Sequence, residues 1–274
     1  METKVAIVTG SNKGLGFEIV KGLCTKFDGA VYLTSRNEER GRLALQKLKD
    51  MGLKPLFHTL DVTSEDSVRE FATHISKHHS GIDILVNNAG VLDFDKPVSS
   101  YEDSKKLIDT NFMSLLTISK ILYPLLKNDA RIINMSSDWG LLSNIRKQLW
   151  LDTLVKDDLK TEEILQFVND FLQAAKSGKS SFISFAGHYG DYKVSKVAMS
   201  ALTFVQQREF NEQKKNVSIN CVHPGFVKTD MTKGMGDFVP ERGAKAPLYL
   251  ALEAPQTQKG TFVWHDCHKV NWDD

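Results

Sequence analysis

The sequence predicts an α/β fold: a doubly wound parallel sheet of about seven strands with helices on both faces. Strand-like runs alternate with amphipathic helical patterns, an order that is typical of parallel sheets with right-handed crossovers. The runs 5–8 and 82–86 are almost continuously apolar, as strands buried on both faces should be. The 274 residues contain no internal repeat, low-complexity tract or linker, so we predict one domain over 1–274.

Each element follows from a local pattern. The first strand stops at Gly10, and apolar residues with helical spacing begin at Leu15. In the segment 64–77, Ser64 and the two acids after it suit the start of an amphipathic helix. The strands are predicted near 4–9, 30–35, 55–60, 83–87, 130–135, 217–223 and 261–264.

One region breaks the alternation. More than fifty residues between Met135 and Asp191 contain no obvious strand. Within them, Thr161 to Lys176 carries apolar residues at spacings of three and four, with Thr161 as the expected cap. Because structureless loops of this length are uncommon in compact domains, we predict a helical insertion over about 140–187.

Composition narrows the possible partners and the compartment. The 35 basic and 34 acidic residues give a net charge of +1, which offers no support for nucleic acid or an anionic membrane as partner. Since the first strand starts near Lys4, there is no room for a signal peptide, and no apolar run reaches the roughly 18 residues of a membrane span. We therefore expect a cytoplasmic protein.

Cysteine and histidine usage predicts no disulfide framework and no metal site. The three cysteines, Cys24, Cys221 and Cys267, have no paired spacing, which fits a reducing cytosol. Cys24 and Cys221 fall in a helix and a strand, where we expect small core residues. The run 265–268 contains two histidines, an aspartate and a cysteine, and we expect a solvated tail there.

The glycines after the first strand indicate a nucleotide site. Gly10, Gly14 and Gly16 stand between a strand and a helix, where backbone N–H groups and the helix dipole can hold a pyrophosphate. Roughly 20 residues further on, an NAD site has an acid at the end of the second strand. Here Arg36 stands there, and Lys13 lies in the glycine turn. Two cations suit a 2′-phosphate, so NADP(H) is predicted over NAD(H), the alternative being two solvated surface charges.

Two overlapping pairs of tyrosine and lysine are candidates for acid–base chemistry. Tyr192 and Lys196 lie four residues apart on one helix face, and so do Tyr189 and Lys193. A fixed ammonium favours the ionised form of a nearby phenol, which predicts a lowered tyrosine pKa. The spacing alone does not choose between the two pairs.

Six motifs in order connect these sites. They are Thr9-Gly10-x-x-x-Gly14-x-Gly16, Asn87-Asn88-Ala89-Gly90, Asn111, Asn134-Met135-Ser136-Ser137, Tyr192-x-x-Ser195-Lys196 and Pro224-Gly225-x-Val227-x-Thr229-Asp230. Over essentially the whole chain, this series resembles the short-chain dehydrogenase/reductase family, which has a Rossmann-type fold. The family pattern Y-x-x-S/T-K selects Tyr192 over Tyr189, because Ser195 precedes Lys196.

The insertion refines the resemblance. Positions 137 and 192 lie 55 apart, whereas most of the family has a short loop there. With Arg36 and the ending Gly260-x-Phe262-Val263, this resembles the monomeric NADPH-dependent carbonyl reductases. Plant menthone-reductase-like members share the insertion. In the monomeric enzymes it covers a helix face through which other members oligomerise, so the resemblance implies a monomer.

The resemblance also implies residue roles. Ser137 would hydrogen-bond the substrate carbonyl, Tyr192 would donate the proton, and Lys196 would hold the nicotinamide ribose and lower the tyrosine pKa. Asn111 would hold a relay water, the alternative being a helix kink; for Asp61 the alternative is a turn residue or cap. The cofactor residues implied are Gly10, Asn12, Lys13, Gly14, Leu15, Gly16, Arg36, Asp61, Val62, Asn88, Tyr192, Lys196, Pro224, Gly225, Val227 and Thr229.

The substrate pocket and the reaction complete the prediction. The pocket residues expected are Ser137, Asp138, Trp139, Phe226, Met231, Met235 and Phe238. Their rings and thioethers suit flat carbonyl compounds, and Asp138 disfavours anions. The predicted activity is NADPH-dependent reduction of ketones, quinones or aldehydes to alcohols. The alternatives are a dedicated NADP-dependent alcohol or sterol dehydrogenase and a catalytically silent NADPH-binding sensor or scaffold.

Overall fold

The protein folds around one mostly parallel sheet. The computed structural model describes residues 3–273, and within them eight strands lie in the order β3-β2-β1-β4-β5-β6-β7-β8. The strands are β1 Lys4–Val8, β2 Gly29–Ser35, β3 Leu56–Thr59, β4 Ile82–Asn87, β5 Leu126–Met135, β6 Ser218–Val222, β7 Phe262–Val263 and β8 Lys269–Val270. Every neighbouring pair is parallel except β7 and β8. The predicted doubly wound parallel sheet is confirmed.

Helices cover both faces of the sheet. They are α1 Gly14–Lys26, α2 Glu38–Asp50, α3 Glu65–His78, α4 Tyr101–Ile108, α5 Ser114–Leu122, α6 Gln148–Leu154, α7 Thr161–Ser177, α8 Lys179–Ala186, α9 Gly190–Glu212, α10 Pro240–Gly243 and α11 Lys245–Leu252. Alternate side chains of β1 enter two different cores: Ala6 and Val8 pack with α1, α2 and α11, whereas Val5 and Ile7 pack with α3 and α5. This two-sided burial explains the unbroken apolar run of β1.

The strand order reverses between β1 and β4. In open parallel sheets, ligands bind at such a switch point, beside the carboxyl ends of the strands. The glycine turn follows β1 directly, and Asn87 ends β4. The topology therefore brings the first two sequence motifs to one edge of the sheet.

The end of the chain differs from the prediction. Strand β8 was not expected, and its antiparallel pairing with β7 makes the run 265–268 a turn instead of a solvated tail. The Trp264 amide donates to the His268 carbonyl at 2.8 Å, and the His265 ring lies 4.7 Å from that of Phe238. Among residues 3–273, no three or more His, Cys, Asp or Glu side chains are grouped so that they could hold a metal ion. In the same range, no helix is long and apolar enough to cross a membrane.

The insertion is helical and packs against α9. Helices α6, α7 and α8 lie within it, and Phe167, Phe171 and Phe185 are fully buried in one core with Val194 and Val197 of α9. The cap of α7 is Lys160, so the expected cap at Thr161 is wrong by one residue. The reason is that the Glu163 carboxylate reaches back and accepts from the Lys160 amide at 3.0 Å. By contrast, Ser64 caps α3 as expected.

A histidine cluster lies at the β3 edge of the sheet. The Tyr32 hydroxyl is 3.0 Å from Nε2 of His74 and 2.8 Å from Nε2 of His79. The rings of His58 and His78 lie 4.7 and 4.4 Å from that of His74. Burial, followed by repulsion among the imidazoles, lowers the pKa of His74, and burial also lowers that of His79.

This histidine cluster predicts that the folded state becomes less stable as the pH falls. Because the folded pKa values of His74 and His79 lie below the ordinary 6.5, the unfolded chain binds more protons as pH drops below that value. We expect the free energy of unfolding to be lower at about pH 5.5 than at about pH 8. In the double variant His74→Gln/His79→Gln, this difference between the two pH values should be smaller. Urea unfolding at both pH values measures this. Equal losses in both proteins would place the pH sensitivity elsewhere.

Candidate active site

A cleft of about 770 Å³ runs along the carboxyl ends of the central strands. It brings together most of the residues that the sequence singled out. Those that line it are Gly10, Asn12, Lys13, Gly14, Leu15, Gly16, Arg36, Asp61, Val62, Asn88, Ser137, Asp138, Trp139, Tyr192, Lys196, Pro224, Gly225, Phe226, Val227, Thr229 and Met231. Asn111, Met235 and Phe238 are outside its lining.

The glycine turn has the form of an anion cradle. Gly10 and Gly14 adopt φ of +60° and +57°, which other residues rarely tolerate. A Cβ at Gly16 would lie 2.4 Å from Asn88 Nδ2 and 2.8 Å from Ser11 Cα. Helix α1 begins here with no side-chain cap and no acid in its first turn, so its first N–H groups remain available. The turn therefore fits a pyrophosphate.

A basic corner lies beside this turn. Arg36 follows the end of β2, Arg40 stands in the first turn of α2, and both line the cleft. Neither guanidinium has a partner among residues 3–273, whereas exposed Lys13 pairs with exposed Asp230 at 2.8 Å. Sequence reasoning missed Arg40, although its position four residues after Arg36 was a usable signal. Two unpaired guanidiniums fit a 2′-phosphate.

Two of the expected cofactor residues also shape the local backbone. The Asp61 carboxylate accepts from the amide of Thr63 at 2.9 Å and from its hydroxyl at 2.7 Å, as in a turn. The Asn88 side chain donates to the carbonyls of Thr9 at 2.8 Å and Gly10 at 3.1 Å. Asn88 thus braces the glycine turn, and both residues face the cleft.

The geometry separates the two tyrosine–lysine pairs. Tyr192 is buried, and its phenol lies close enough to the Ser137 side chain for Ser137 to influence its pKa. Lys196 donates to the Met135 carbonyl at 2.6 Å, with its Nζ 5.4 Å from the centre of the Tyr192 ring. The Tyr189 hydroxyl instead donates to the Phe94 carbonyl at 3.0 Å. Only Tyr192 therefore stands with the serine and the buried lysine, as the family pattern predicts.

Burial controls the protonation of this pair. It raises the pKa of Tyr192, and the charge of Asp138 adds to that shift. It also lowers the pKa of Lys196 to about 7. The prediction that Lys196 lowers the pKa of Tyr192 is wrong for this structure, because burial disfavours the charged forms of both groups. Tyr192 consequently keeps its proton at neutral pH, as a proton donor must.

Asn111 links two parts of the site without lining it. It is buried in a π-helical turn, Asp109–Met113, between α4 and α5. Its side chain pairs with both backbone groups of Val91, at 2.8 and 2.9 Å, and donates to Ser195 Oγ at 3.2 Å. The helix irregularity that was the alternative for Asn111 is present, and its side chain joins the loop after Gly90 to α9.

An aromatic wall closes the other end of the cleft. The Trp139 ring is stacked 5.3 Å from Tyr189 and meets Tyr192 edge-on at 5.8 Å. Phe94, which is not among the pocket residues expected from the sequence, lies 6.4 Å from both Trp139 and Phe226. These rings give the cleft a flat apolar side.

Two expected pocket residues lie elsewhere. Met235 is 47% exposed and outside the lining. The Phe238 ring packs against Gly225, His265 and the guanidinium of Arg242. Hydrophobicity in the segment 231–238 marked both residues, but only its beginning, at Met231, lines the cleft, whereas Phe238 lies outside the lining and forms a bridge with Val227.

Comparison with known proteins settles the family. A family model described as short chain dehydrogenase matches residues 4–149 and 177–239. The chain belongs to the short-chain dehydrogenase family. The unmatched residues between these stretches include most of α7, so the insertion is where this short-chain dehydrogenase departs from the common pattern.

Full-length relatives agree with this assignment. Carbonyl reductase (NADPH) 1 of Mus musculus is 37% identical over 268 residues, which cover 94% of this chain and 95% of that protein. Salutaridine reductase from Papaver somniferum superposes with a TM-score of 0.85 at 32% identity, covering 96% and 100% of the two chains. Menthone neomenthol reductase from Mentha piperita superposes with a TM-score of 0.80 at 28% identity, covering 96% of this chain and 99% of that chain. The resemblance to the carbonyl reductases is confirmed.

Proposed function

We propose that this short-chain dehydrogenase is an NADPH-dependent carbonyl reductase, which converts ketones, quinones and aldehydes to alcohols. The observation that carries the proposal is one cleft with two chemically distinct ends. Arg36 and Arg40 stand unpaired at one end, and Tyr192, Ser137 and Lys196 converge at the other. A phosphorylated dinucleotide spans such a cleft with its reactive ring beside the phenol.

Each end of the cleft has a defined task. The turn Gly10 to Gly16 holds the pyrophosphate, and Arg36, Arg40 and Lys13 hold the 2′-phosphate. Asp61 and Val62 flank the adenine, Asn88 lines the adenosine ribose, and Lys196 holds the nicotinamide ribose. The nicotinamide end of the cofactor is contacted by the segment that carries Pro224, Gly225, Val227 and Thr229.

The reacting carbonyl is polarised by this chain's own residues. NADPH supplies the hydride when it is bound. Ser137 donates a hydrogen bond to the carbonyl oxygen as negative charge develops there, and Tyr192 transfers its proton to that oxygen. Asn111, at the junction of the Val91 loop and α9, holds the water through which Tyr192 is reprotonated.

We also propose a single reductase domain that acts as a monomer in the cytoplasm. Supporting the monomer, the insertion buries Phe167, Phe171 and Phe185 against α9 and so covers that helix face. Supporting a reducing compartment, Cys24, Cys221 and Cys267 are unpaired. Light scattering of the purified protein measures the mass in solution.

A substrate screen tests the activity. The purified protein is mixed with NADPH and a panel of quinones, aromatic ketones, aldehydes and sterol ketones, and NADPH consumption is followed by absorbance. We expect turnover of several chemically different carbonyl compounds. Turnover of one alcohol or sterol ketone alone would indicate a dedicated dehydrogenase. NADPH binding without any turnover would indicate a sensor or scaffold.

A further inference from the structure

An acidic side chain stands directly beside the serine of the site. Asp138 opens the short 3₁₀ turn Asp138–Gly140, lines the cleft and is 48% exposed. Its Oδ1 accepts from Ser137 Oγ at 2.7 Å and from the Trp139 amide at 3.0 Å. These two bonds fix a carboxylate next to the position where the carbonyl oxygen of a substrate binds.

Among residues 3–273, no lysine or arginine lies within ion-pair distance of Asp138, although the Lys193 ammonium is near enough to interact with its charge. The nearest basic group is His223, whose Nδ1 lies 3.6 Å from Oδ1. That nitrogen accepts from the Asp138 amide at 2.8 Å, and burial lowers the pKa of His223 to about 4, so the ring is neutral at pH 7. Lys193 donates to the Ala186 carbonyl and covers the Trp139 ring.

This carboxylate opposes the reduction of a neutral ketone in two ways. It holds the Ser137 proton, which the substrate oxygen needs. Its negative charge also faces the oxygen on which negative charge develops, just as it raises the pKa of Tyr192. A positive charge on the substrate relieves both effects, because it pairs with the carboxylate and releases the Ser137 hydroxyl.

The surrounding wall accepts a cation. Trp139 follows Asp138 in the chain, but Tyr189 is stacked on its ring and Lys193 covers it. The rings left for a substrate cation are therefore Phe94 and Phe226, which line the cleft. Aromatic faces attract ammonium groups, and quaternary ammonium ligands are commonly held in this way. The Asp138 carboxylate and the rings of Phe94 and Phe226 line the same cleft, and together they suit a quaternary or protonated amine.

We propose that Asp138 makes the cleft selective for carbonyl compounds that carry a cationic nitrogen close to the carbonyl group. This inference rests on the proposed reductase activity and adds a substrate class to it. Asp138 acts as a specificity-determining residue, and the hydride and proton transfers are those already described.

A matched pair of ketones tests the selectivity. One aryl ketone carries a trimethylammonium group and the other carries a tert-butyl group of the same shape. Because the ammonium group also withdraws electrons from the carbonyl, the change in the ratio between wild type and variant isolates the contribution of Asp138. We expect the wild type to have a kcat/KM about tenfold higher for the cation, the effect of one charge-assisted contact. In Asp138→Asn, which keeps the Oδ1 acceptor and removes the charge, this ratio should fall about tenfold while kcat/KM for the neutral ketone does not fall.

A second carboxylate provides the control. Asp237 is exposed and outside the cleft lining, so Asp237→Asn removes the same charge and should keep the wild-type ratio. Asp138→Ser serves as a second variant if Asp138→Asn does not fold. Reduction of both ketones with equal kcat/KM, or an unchanged ratio in the Asp138 variants, would overturn the selectivity and leave the reductase function standing. Failure to reduce any carbonyl compound would overturn the proposed function itself.

Discussion

Replacing Tyr192 by Phe is expected to lower kcat for ketone reduction about a thousandfold, within the range that general-acid catalysis contributes. The phenol is the buried proton source beside Ser137, and the substitution removes only its hydroxyl. NADPH affinity should change little, because the turn and the two arginines at the other end of the cleft are untouched. Steady-state kinetics with a ketone and NADPH titration by fluorescence measure the two quantities.

Tyr189 supplies the matched control. It lies three residues earlier, and its hydroxyl bonds the Phe94 carbonyl at 3.0 Å. Tyr189→Phe removes that bond and should lower kcat less than about tenfold, since a neutral hydrogen bond contributes little more. Substantial turnover by Tyr192→Phe together with a collapse in Tyr189→Phe would show that the catalytic tyrosine had been misassigned.

Replacing Arg36 by Asp is expected to lower the ratio of kcat/KM for NADPH to that for NADH about a hundredfold, the effect of losing two charge-assisted hydrogen bonds. Arg36 has no partner among residues 3–273, so its guanidinium is available to a 2′-phosphate. The new carboxylate repels that phosphate and can instead accept from the 2′-hydroxyl of NADH. Initial rates with each cofactor and one quinone measure the ratio.

Arg42 is the corresponding control. It lies on α2, outside the cleft, and pairs with Glu38 at 2.7 Å. Arg42→Asp makes the same change in net charge and should leave the cofactor ratio near that of the wild type. An unchanged ratio in Arg36→Asp would refute the assignment of the 2′-phosphate site.

The sequence predicted the parts of the fold that depend on local pattern. Seven strands and the main insertion helix are visible as apolar patterns, whereas β8 has two residues of which only Val270 is apolar, and it gives no such signal. The glycine turn was recognised from its spacing, whereas Ser137 and the choice of Tyr192 with Lys196 came from the family resemblance. Their meeting in one cleft follows from parallel strands that end at the same edge.

Other features of the site depend on long-range contacts that no local pattern encodes. Lys13 pairs with Asp230, which is 217 positions away. Arg40 reaches the cleft only because α2 turns back beside β2, and Phe238 lies outside it, in a bridge with Val227. The direction of the Tyr192 pKa shift depends on burial, which the spacing to Lys196 does not reveal.

The central claim is that this chain transfers hydride from NADPH to a carbonyl carbon. Single-turnover reduction of an aromatic ketone with NADPH deuterated at both C4 positions tests this most directly. Mass spectrometry of the alcohol should show one deuterium at the former carbonyl carbon of the ketone, in an amount equal to the NADPH oxidised. An unlabelled alcohol, or NADPH consumed without an alcohol, would contradict the claim.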